Sequence, residues 1–496
     1  MDTDVVIAGA GPTGLMLACE LRLAGADVVV VERLPERSGE SRAGGIHSRT
    51  LEVLDQRGIL DRFLAEGELQ PVGHFSGLYL DFDESESRHP YPLMILQSAI
   101  ERLLEERAGE LGVRVRRSAE VTGISQDQDG VSVTVGPGTG QATLRARYLV
   151  GCDGGRSTVR KLAGIDFPGT EPTMTALIGD VELPDLPEDY VWVRRTPVGD
   201  YSAIAFEPGW HRVITSEYDR VPGREPVTFE QLKESLIRVA GTDFGMRNPR
   251  WVSRFSDAAR QAARYREGRV LLAGDAAHIH FPAGGQGLNM GVQDAVNLGW
   301  KLAAVVRGQV PESLLDTYHA ERHPVAERVL HNTRAQSALV RPGPQTEALR
   351  EVFGSLMVFD DVNQYLRHML NALDIRYPAD GDHPLTGRRV PDADLEAPEA
   401  TRVHELLHTA RPVLLDLHGS AELTAAAKGW GDRVDVVEAR SEDAHWTVPA
   451  IGDIPAPAAL LVRPDGHVAW ATDDTTPHTP ALTTALTTWF GPALQG

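Results

Sequence analysis

The sequence predicts a multidomain α/β protein: a doubly wound, Rossmann-like unit, an antiparallel sheet inserted into it, and a small α/β unit at the C-terminus. Three observations predict this. The N-terminus reads strand, glycine run, helix, strand: Val5 to Ala8 is apolar, Gly9-Ala10-Gly11-Pro12-Thr13-Gly14 follows, and Val28 to Val31 is apolar again. From Leu177 to Trp251 the pattern changes to short strand-like runs between Gly, Pro and Asp turns. Beyond a Pro-, Gly- and Asp-rich stretch, Tyr377 to Asp394, strand and helix patterns resume. The predicted divisions are 1–175 and 256–390 for the first domain, 176–255 for the inserted sheet and 391–496 for the last unit.

Periodicity justifies each element. Pro12 to Leu23 reads as a helix with Leu15, Leu17, Ala18 and Leu21 inward; Leu51 to Leu64 and Ser98 to Leu111 are also helical. Val131 to Val135 and Ala142 to Val150 alternate as strands. Gly136, Gly138 and Gly140 between them read as a hairpin turn, because they open no helix. Val191-Trp192-Val193, Tyr201 to Phe206 and His211 to Ser216 are the inserted strands. Arg269 to Ala273 returns to a buried parallel strand. Gln293 to Val306 is a helix, and helical segments continue to about Leu373. His319, Glu321 and His323 read as the polar face of a helix ending before Pro324. Tyr377 to Asp394 reads as a linker. In the last unit Val413 to Leu417, Val434 to Val437, Ala458 to Val462 and His467 to Trp470 are strands, Leu423 to Lys428 is a helix and Pro464-Asp465-Gly466 is a turn.

A formal net charge of -21 disfavours nucleic acid as a partner. No apolar run reaches the roughly 18 residues of a membrane span, and Asp2 and Asp4 stand where a signal peptide carries positive charge. The 2 cysteines, Cys19 and Cys152, permit neither a disulfide framework nor a zinc cluster and fit a reducing cytoplasm.

Gly9, Gly11 and Gly14 have the G-x-G-x-x-G spacing. The first allows the tight turn, the second a close approach of backbone to pyrophosphate, the third close packing of helix on strand. Glu32 ends the next strand; a carboxylate there accepts ribose hydroxyls and repels a 2′-phosphate, so FAD or NAD is expected rather than NADP. Asp153-Gly154 and Gly274-Asp275 each follow a strand and put a carboxylate at the carboxyl end of the sheet, where such folds bind ligands.

These three motifs together, in this order, resemble the class A flavoprotein aromatic hydroxylases typified by para-hydroxybenzoate hydroxylase. Glu32-Arg33, Ser41-Arg42, Gln56-Arg57-Gly58, the stretch Ala283 to Asn289 and the C-terminal unit are similar to actinobacterial aromatic polyketide hydroxylases (angucycline, aklavinone and anhydrotetracycline) and to rifampicin monooxygenases. The resemblance implies a Rossmann-like FAD-binding domain, a substrate-binding sheet and a thioredoxin-like C-terminal domain, here without redox cysteines. It implies bound FAD, NADPH or NADH as a transient co-substrate, and O2. The expected reaction is hydroxylation of a polycyclic aromatic polyketide through a flavin C4a-hydroperoxide. FAD contacts are expected from Gly9, Gly11, Pro12, Thr13, Gly14, Glu32, Arg33, Arg42, Gln97, Arg102, Val121, Asp153, Thr158, Asp275, Pro282, Gly285, Gly287, Leu288 and Asn289. Arg156 and Arg160 accompany Asp153. Pro282 and Arg42 are expected beside the reacting ring, and His47 to help deprotonate a phenol if it titrates near neutrality.

Other features read more plainly. Asp275, His278 and His280 do not make a metal site, because a fourth ligand is missing. Trp192, Tyr201 and Phe206 either stack on substrate or fill the sheet core. Rival readings are a rifampicin-type inactivating monooxygenase, a Baeyer–Villiger variant, and a non-catalytic FAD- or ligand-binding protein. The expected assembly is a monomer or homodimer in the cytoplasm.

Overall fold

β-Branched runs build the central sheet. In the computed structural model, which describes residues 1–70, 72–81, 87–136, 140–187, 193–218, 220, 223, 225–476 and 479–494, β1 (Thr3–Ala8), α1 (Pro12–Leu23) and β2 (Val28–Val31) form the first βαβ unit. Pro12 suits the first position of α1, where its missing N–H is no loss. Next come α2 (Ser48–Asp55), α3 (Leu60–Leu64), α4 (Gln97–Glu110), β3 (Arg114–Arg116), β4 (Glu120–Gln126), β5 (Val131–Gly136), β6 (Ala142–Gly151) and α5 (Thr158–Leu162). β5 and β6 are antiparallel, as the hairpin reading requires; residues 137–139 of the turn lie outside the described residues.

The inserted sheet comprises β7 (Met174–Glu182), β8 (Arg194–Thr196), β9 (Gly199–Glu207), β10 (Trp210–Tyr218) and, after α6 (Phe229–Ala240), β11 (Arg247–Ser256), in the order β8-β9-β10-β7-β11. Residues 191–192 of the strand expected at Val191 to Val193 lie outside the described residues; Val193 itself is not in a strand, and β8 starts one residue later. The chain then returns to the central sheet with β12 (Val270–Leu272). The parallel order is β12-β6-β1-β2-β3.

Alternation assigns the two faces of the inserted sheet. Leu177, Val181, Ala203 and Val213 pack under α6, against Leu232 and Leu236. A capping box, Thr228 with Gln231, starts α6, and Gly241 at φ 80 ends it. The register Asp180↔Arg212, Ile178↔Ile214 and Ala176↔Ser216 therefore lies on the other face.

Four α-helices follow β12 before the closing unit: α7 (Gln286–Val306), α8 (Asp316–Val340), α9 (Pro344–Leu356) and α10 (Asp360–Asn371). Helix α7 starts seven residues before the expected Gln293, since the glycines that obscure its periodicity sit in its first turns. Helix α8 runs through Pro324 instead of ending before it. Packing on both sides overrides the lost hydrogen bond: Tyr318 and Arg322 before the proline, and Ala326 and Leu330 after it, are buried. Glu321 is also buried, so it is not part of a solvated polar face.

The closing unit has β13 (Val413–Asp416), α11 (Ala421–Ala427), β14 (Asp435–Glu438), β15 (Ala459–Val462), β16 (Val468–Thr472) and α12 (Thr479–Phe490). Its sheet order is β14-β13-β15-β16, with β13 and β14 parallel and the other pairs antiparallel. The stretch Tyr377 to Asp394 is no free linker. Gly387 N and Val390 N donate to Val468 O and Gly466 O, each at 2.8 Å, and Leu385 and Val390 are buried.

Buried charge ties the closing unit to the first domain. Arg463 grips Glu321 through both guanidinium nitrogens at 2.6 and 2.9 Å, and Lys301 on α7 donates to the same carboxylate at 2.7 Å. Arg57 clamps Glu20 at 2.7 Å twice and donates to Pro464 O. Trp300 shares a core with Trp470, Trp489 and Phe490. Removing one member of a buried pair strands the other's charge. Arg463→Met is therefore expected to lower stability by about 3–5 kcal/mol, and adding Glu321→Gln to recover part of it; thermal unfolding of the two variants measures both.

His467, packed against Tyr377 at 4.2 Å between ring centroids, is held down to about 4 by burial. Unfolded histidine titrates near 6.5. Between these values the unfolded chain binds a proton that the folded chain does not, so stability falls as pH drops from 6.5 towards 4. The fall of Tm over that range is expected to be shallower in His467→Asn, and an unchanged slope contradicts the assignment.

Candidate active site

The glycine run sits where β1, α1 and the end of β6 converge. Gly9 has φ 106, and a Cβ on it would lie 2.3 Å from Cys152 O; a Cβ on Gly14 would lie 2.1 Å from Gly9 O. Both positions therefore demand glycine. Gly11 differs: nothing lies within 4 Å of its Cβ direction, so the turn is open on the side a ligand would take. Helix α1 has no side-chain cap, which leaves N–H groups at its N-terminus for an anion.

Thr13 is held between two other segments. A Cβ on Gly274 would meet Thr13 Oγ1 at 2.6 Å, and one on Gly291 of α7 would meet it at 2.3 Å. Glu32 accepts from Ala10 N and Leu34 N, both at 2.8 Å, and so fastens the glycine turn to the end of β2. Each of its oxygens keeps a lone pair for a further donor. Arg33 beside it is exposed.

Asp153 is already committed. Its Oδ1 accepts from Ser157 Oγ at 2.5 Å and its Oδ2 from Thr158 N and Val159 N at 2.7 and 3.1 Å. It caps α5 and shapes the Gly154-Gly155 turn. Arg160 donates to Gly155 O and Ala276 O, stacks on Phe167 at 3.7 Å, and so joins the Asp-Gly turn to the Gly-Asp turn. Arg156 points to solvent. Asp275 contrasts with Asp153: its carboxylate is exposed between buried Gly274 and Ala276, with no hydrogen-bond partner among the described residues.

The loop from Pro282 enters α7 through Gly284 and Gly285, at φ 67 and 66. Pro282 is exposed. Helix α7 also lacks a side-chain cap, so N–H groups of its first turn, which contains Gly287 and Leu288, are available to an anion. Asn289 faces inward and acts as a tie. Its Oδ1 accepts from His47 N at 2.8 Å, and its Nδ2 donates to Gly285 O at 2.9 Å.

His47 lies beside this loop, its Nε2 3.4 Å from a Cβ position on Gly285. Its Nδ1 contacts Leu370 O at 3.2 Å; a carbonyl only accepts, so Nδ1 carries the proton. Burial holds the ring to about 4, so the base expected near neutrality is a neutral imidazole of low basicity.

Other residues expected at or near the site are held in several ways. Arg102 is held by Glu66 and Glu106, on a different face of α4 from the Gln97–Glu101 pair. Gln97 does turn inward, accepting from Ala43 N at 3.1 Å. The Val121 side chain is buried in the core, leaving only its backbone to a ligand. Arg42 is exposed and bound to Glu40 and Ser253. Of the aromatics, Tyr201 packs with Phe244 on the α6 side, Phe206 lies on the opposite face against Gly44, and Trp192 is outside the described residues. His278 and His280 do not converge on Asp275. His278 binds Asp294, and His280 Nδ1 turns to Phe281 O at 2.7 Å.

Sequence reasoning missed Asp294. Fully buried on α7, it accepts from Gly274 N at 3.1 Å, His278 Nε2 at 2.7 Å and Arg322 Nε at 2.7 Å. Arg322 reaches on to Tyr377 OH at 3.0 Å. A carboxylate at the second position of the apolar helix pattern that begins at Gln293 was the available signal.

The carboxyl edge of the parallel sheet thus presents two uncapped helix N-termini, a turn open at Gly11 and a free carboxylate at Asp275. That set fits a dinucleotide whose pyrophosphate meets α1 and whose electron-rich ring edge meets α7. FAD, when bound, supplies the redox chemistry; the chain supplies position, charge and exclusion of water. The model of an FAD binding domain matches residues 2–333, and that of an aromatic-ring hydroxylase C-terminal domain matches residues 383–493. The chain is 50% identical over 507 residues, covering 99% of each chain, to the 12-dehydrotetracycline 5-monooxygenase/anhydrotetracycline 6-monooxygenase of Streptomyces rimosus. It is 46% identical to a rifampicin monooxygenase of Streptomyces venezuelae, over 99% of this chain and 100% of that one. The solved anhydrotetracycline hydroxylase from Streptomyces rimosus superposes with a TM-score of 0.93 at 50% identity, over 99% of this chain and 100% of that one. The chain belongs to the FAD-dependent aromatic-ring hydroxylases, and it is an FAD-dependent monooxygenase.

Proposed function

We propose that the protein hydroxylates a polycyclic aromatic polyketide in natural-product biosynthesis, using NADPH or NADH and O2. The observation that carries this is the 50% identity, along 99% of both chains, to a monooxygenase named for tetracycline intermediates. Geometry supports it. The face of the inserted sheet opposite α6 meets the Pro282 loop where Phe255 packs on Phe281 at 5.8 Å, which makes an apolar floor beside the flavin loop. The 46% identity to a rifampicin monooxygenase favours one rival, inactivation of an ansamycin-type substrate; a non-catalytic binder shows no substrate-stimulated NADPH oxidation, and a Baeyer–Villiger outcome, which also adds one oxygen, is told from hydroxylation by where that oxygen sits in the product.

Within this reading Gly9 to Gly14 and Glu32 hold the adenosine and pyrophosphate of FAD, Asp275 accepts ribityl or ribose hydroxyls, and the α7 N-terminus faces the pyrimidine edge. Asp153 and Asn289 act by positioning the turns around them. The C-terminal unit is read as thioredoxin-like from its strand order and directions, without redox cysteines. A cytoplasmic monomer or homodimer completes the proposal. No helix of the described residues is long and apolar enough to cross a membrane.

The purified protein is expected to carry flavin absorbance and to oxidise NADPH faster with a tetracyclic phenol than with rifampicin, giving a product one oxygen heavier. Oxidation that is unstimulated by any polycycle contradicts the activity. Asp275→Asn is expected to weaken FAD binding by about tenfold, read by flavin titration of the apoprotein. His47→Asn is expected to leave the shape of the pH–rate profile between 5 and 8 unchanged, because His47 stays neutral throughout; loss of a limb near 6.5 would overturn that assignment.

A further inference from the structure

The substrate-side face of the inserted sheet ends in a carboxylate that the reaction scheme does not use. Reading the register across one row gives Phe255 on β11, Ala176 on β7, Ser216 on β10 and Asp200 on β9. All four point away from α6, because Glu217, next to Ser216, points to α6 and bonds Ser235 and Arg238 there. Phe255 is the end of the row that touches Phe281 and hence the Pro282 loop. Asp200 is three strands away, roughly 14 Å at ~4.8 Å per strand. A linear polycycle spans such a row; a single phenol ring does not. The two ends of the row, Phe255 and Asp200, keep some solvent exposure, while Ala176 and Ser216 between them are buried, so a ring system that reaches Asp200 must part the contacts over them.

Asp200 has no guanidinium hydrogen-bonded to it among the described residues, although Arg195 stands opposite on the next strand. Tyr218 OH donates to its Oδ2 at 2.5 Å. Its cross-strand neighbour Arg195 is engaged elsewhere, with Glu347 at 2.7 Å and with the carbonyls of Val340 and Arg341. Burial pushes the Asp200 carboxyl up, opposed by the Tyr218 and Ser216 hydroxyls and the Arg195 charge. A half-buried carboxylate with only hydroxyl donors still gains from one further donor. Asp200 therefore differs from Asp180 on the same face, which is neutralised by a bidentate Arg212 at 2.9 Å and by Trp251 Nε1.

We propose that Asp200, oriented by Tyr218, is the polar stop of the substrate face and accepts a hydrogen bond from a hydroxyl or ammonium group on the ring remote from the oxidised carbon. It thereby sets how far the polycycle slides along the sheet, and so which carbon lies at the flavin. This rests on the reading of the chain as a polycycle hydroxylase.

The test compares the wild-type holoenzyme with Asp200→Asn, Tyr218→Phe and, as a control on the opposite face, Glu217→Gln. Anhydrotetracycline is the probe, and flavin absorbance monitors folding. Binding is read by perturbation of the flavin spectrum, and turnover by NADPH consumed, product formed and peroxide released. Asp200→Asn is expected to raise Kd and KM about tenfold, to divert NADPH oxidation towards peroxide and to spread oxidation over more than one carbon. Tyr218→Phe shows a smaller shift in the same direction, and Glu217→Gln stays within twofold. Equal Kd and equal coupling in wild type and Asp200→Asn overturn the assignment. Binding without product in the wild type instead contradicts the hydroxylase reading, and the Asp200 comparison then stands on Kd alone. No binding by the wild type contradicts both.

Discussion

A carboxylate sealed from water stays ionised only if its surroundings are built around it, and Asp294 is such a group. Both its oxygens are filled, by Arg322 on one side and by His278 and the Gly274 backbone on the other. Desolvation alone would push this carboxyl up; the Arg322 and His278 charges hold it below the usual carboxylate range. Shifting α7 by a fraction of a turn would break all three contacts. The position of the Gly274-Asp275 turn is therefore coupled to the position of α7, whose N-terminus is the other half of the proposed flavin site. The same helix carries Lys301, which meets Glu321 and through it Arg463 of the closing unit. The two matched parts of the chain are locked by this buried polar seam.

The electrostatics of the site follow from what the backbone leaves unpaired. A chain of net charge -21 offers little general attraction to a dinucleotide. The attraction is local: two uncapped helix N-termini face the carboxyl edge of the sheet, where oriented N–H groups need no reorganisation to meet negative charge. Steric constraint does the rest. Gly9, Gly14, Gly274 and Gly291 allow β1, α1, the Gly-Asp turn and α7 to approach within distances a side chain would forbid.

Much of this was legible in the sequence, because glycine spacing and apolar runs report backbone geometry directly. The strands at Val5, Val28 and Val270 fell where pattern placed them, as did Glu32 and Asp275 after the last two. The misses share a cause: tertiary contacts overrode a local rule. Pro324 ordinarily ends a helix, yet α8 is packed on both sides of it. Tyr377 to Asp394 has the composition of a linker, yet its N–H groups extend the sheet edge beside β16. Glu321 is charged at helical spacing, yet its partners, Lys301 and Arg463, come from distant segments. Arg102 is one residue from Glu101, and 100° of helix rotation takes it to Glu66 and away from the site. The low basicity of His47 depends on burial, which its neighbours in sequence do not announce.

The account makes the chain a scaffold for oxygen transfer: a dinucleotide is held at the sheet edge, and the face of the inserted sheet opposite α6, which mixes Phe255, Ala176 and Ile214 with the Asp180–Arg212 pair and Asp200, is proposed to carry the acceptor ring. Turnover with anhydrotetracycline under 18O2, with mass analysis of the product, tests this most directly. The account predicts a product heavier by one 18O atom, formed only with NADPH or NADH present. Unlabelled substrate recovered intact, with all the 18O in peroxide, would contradict it.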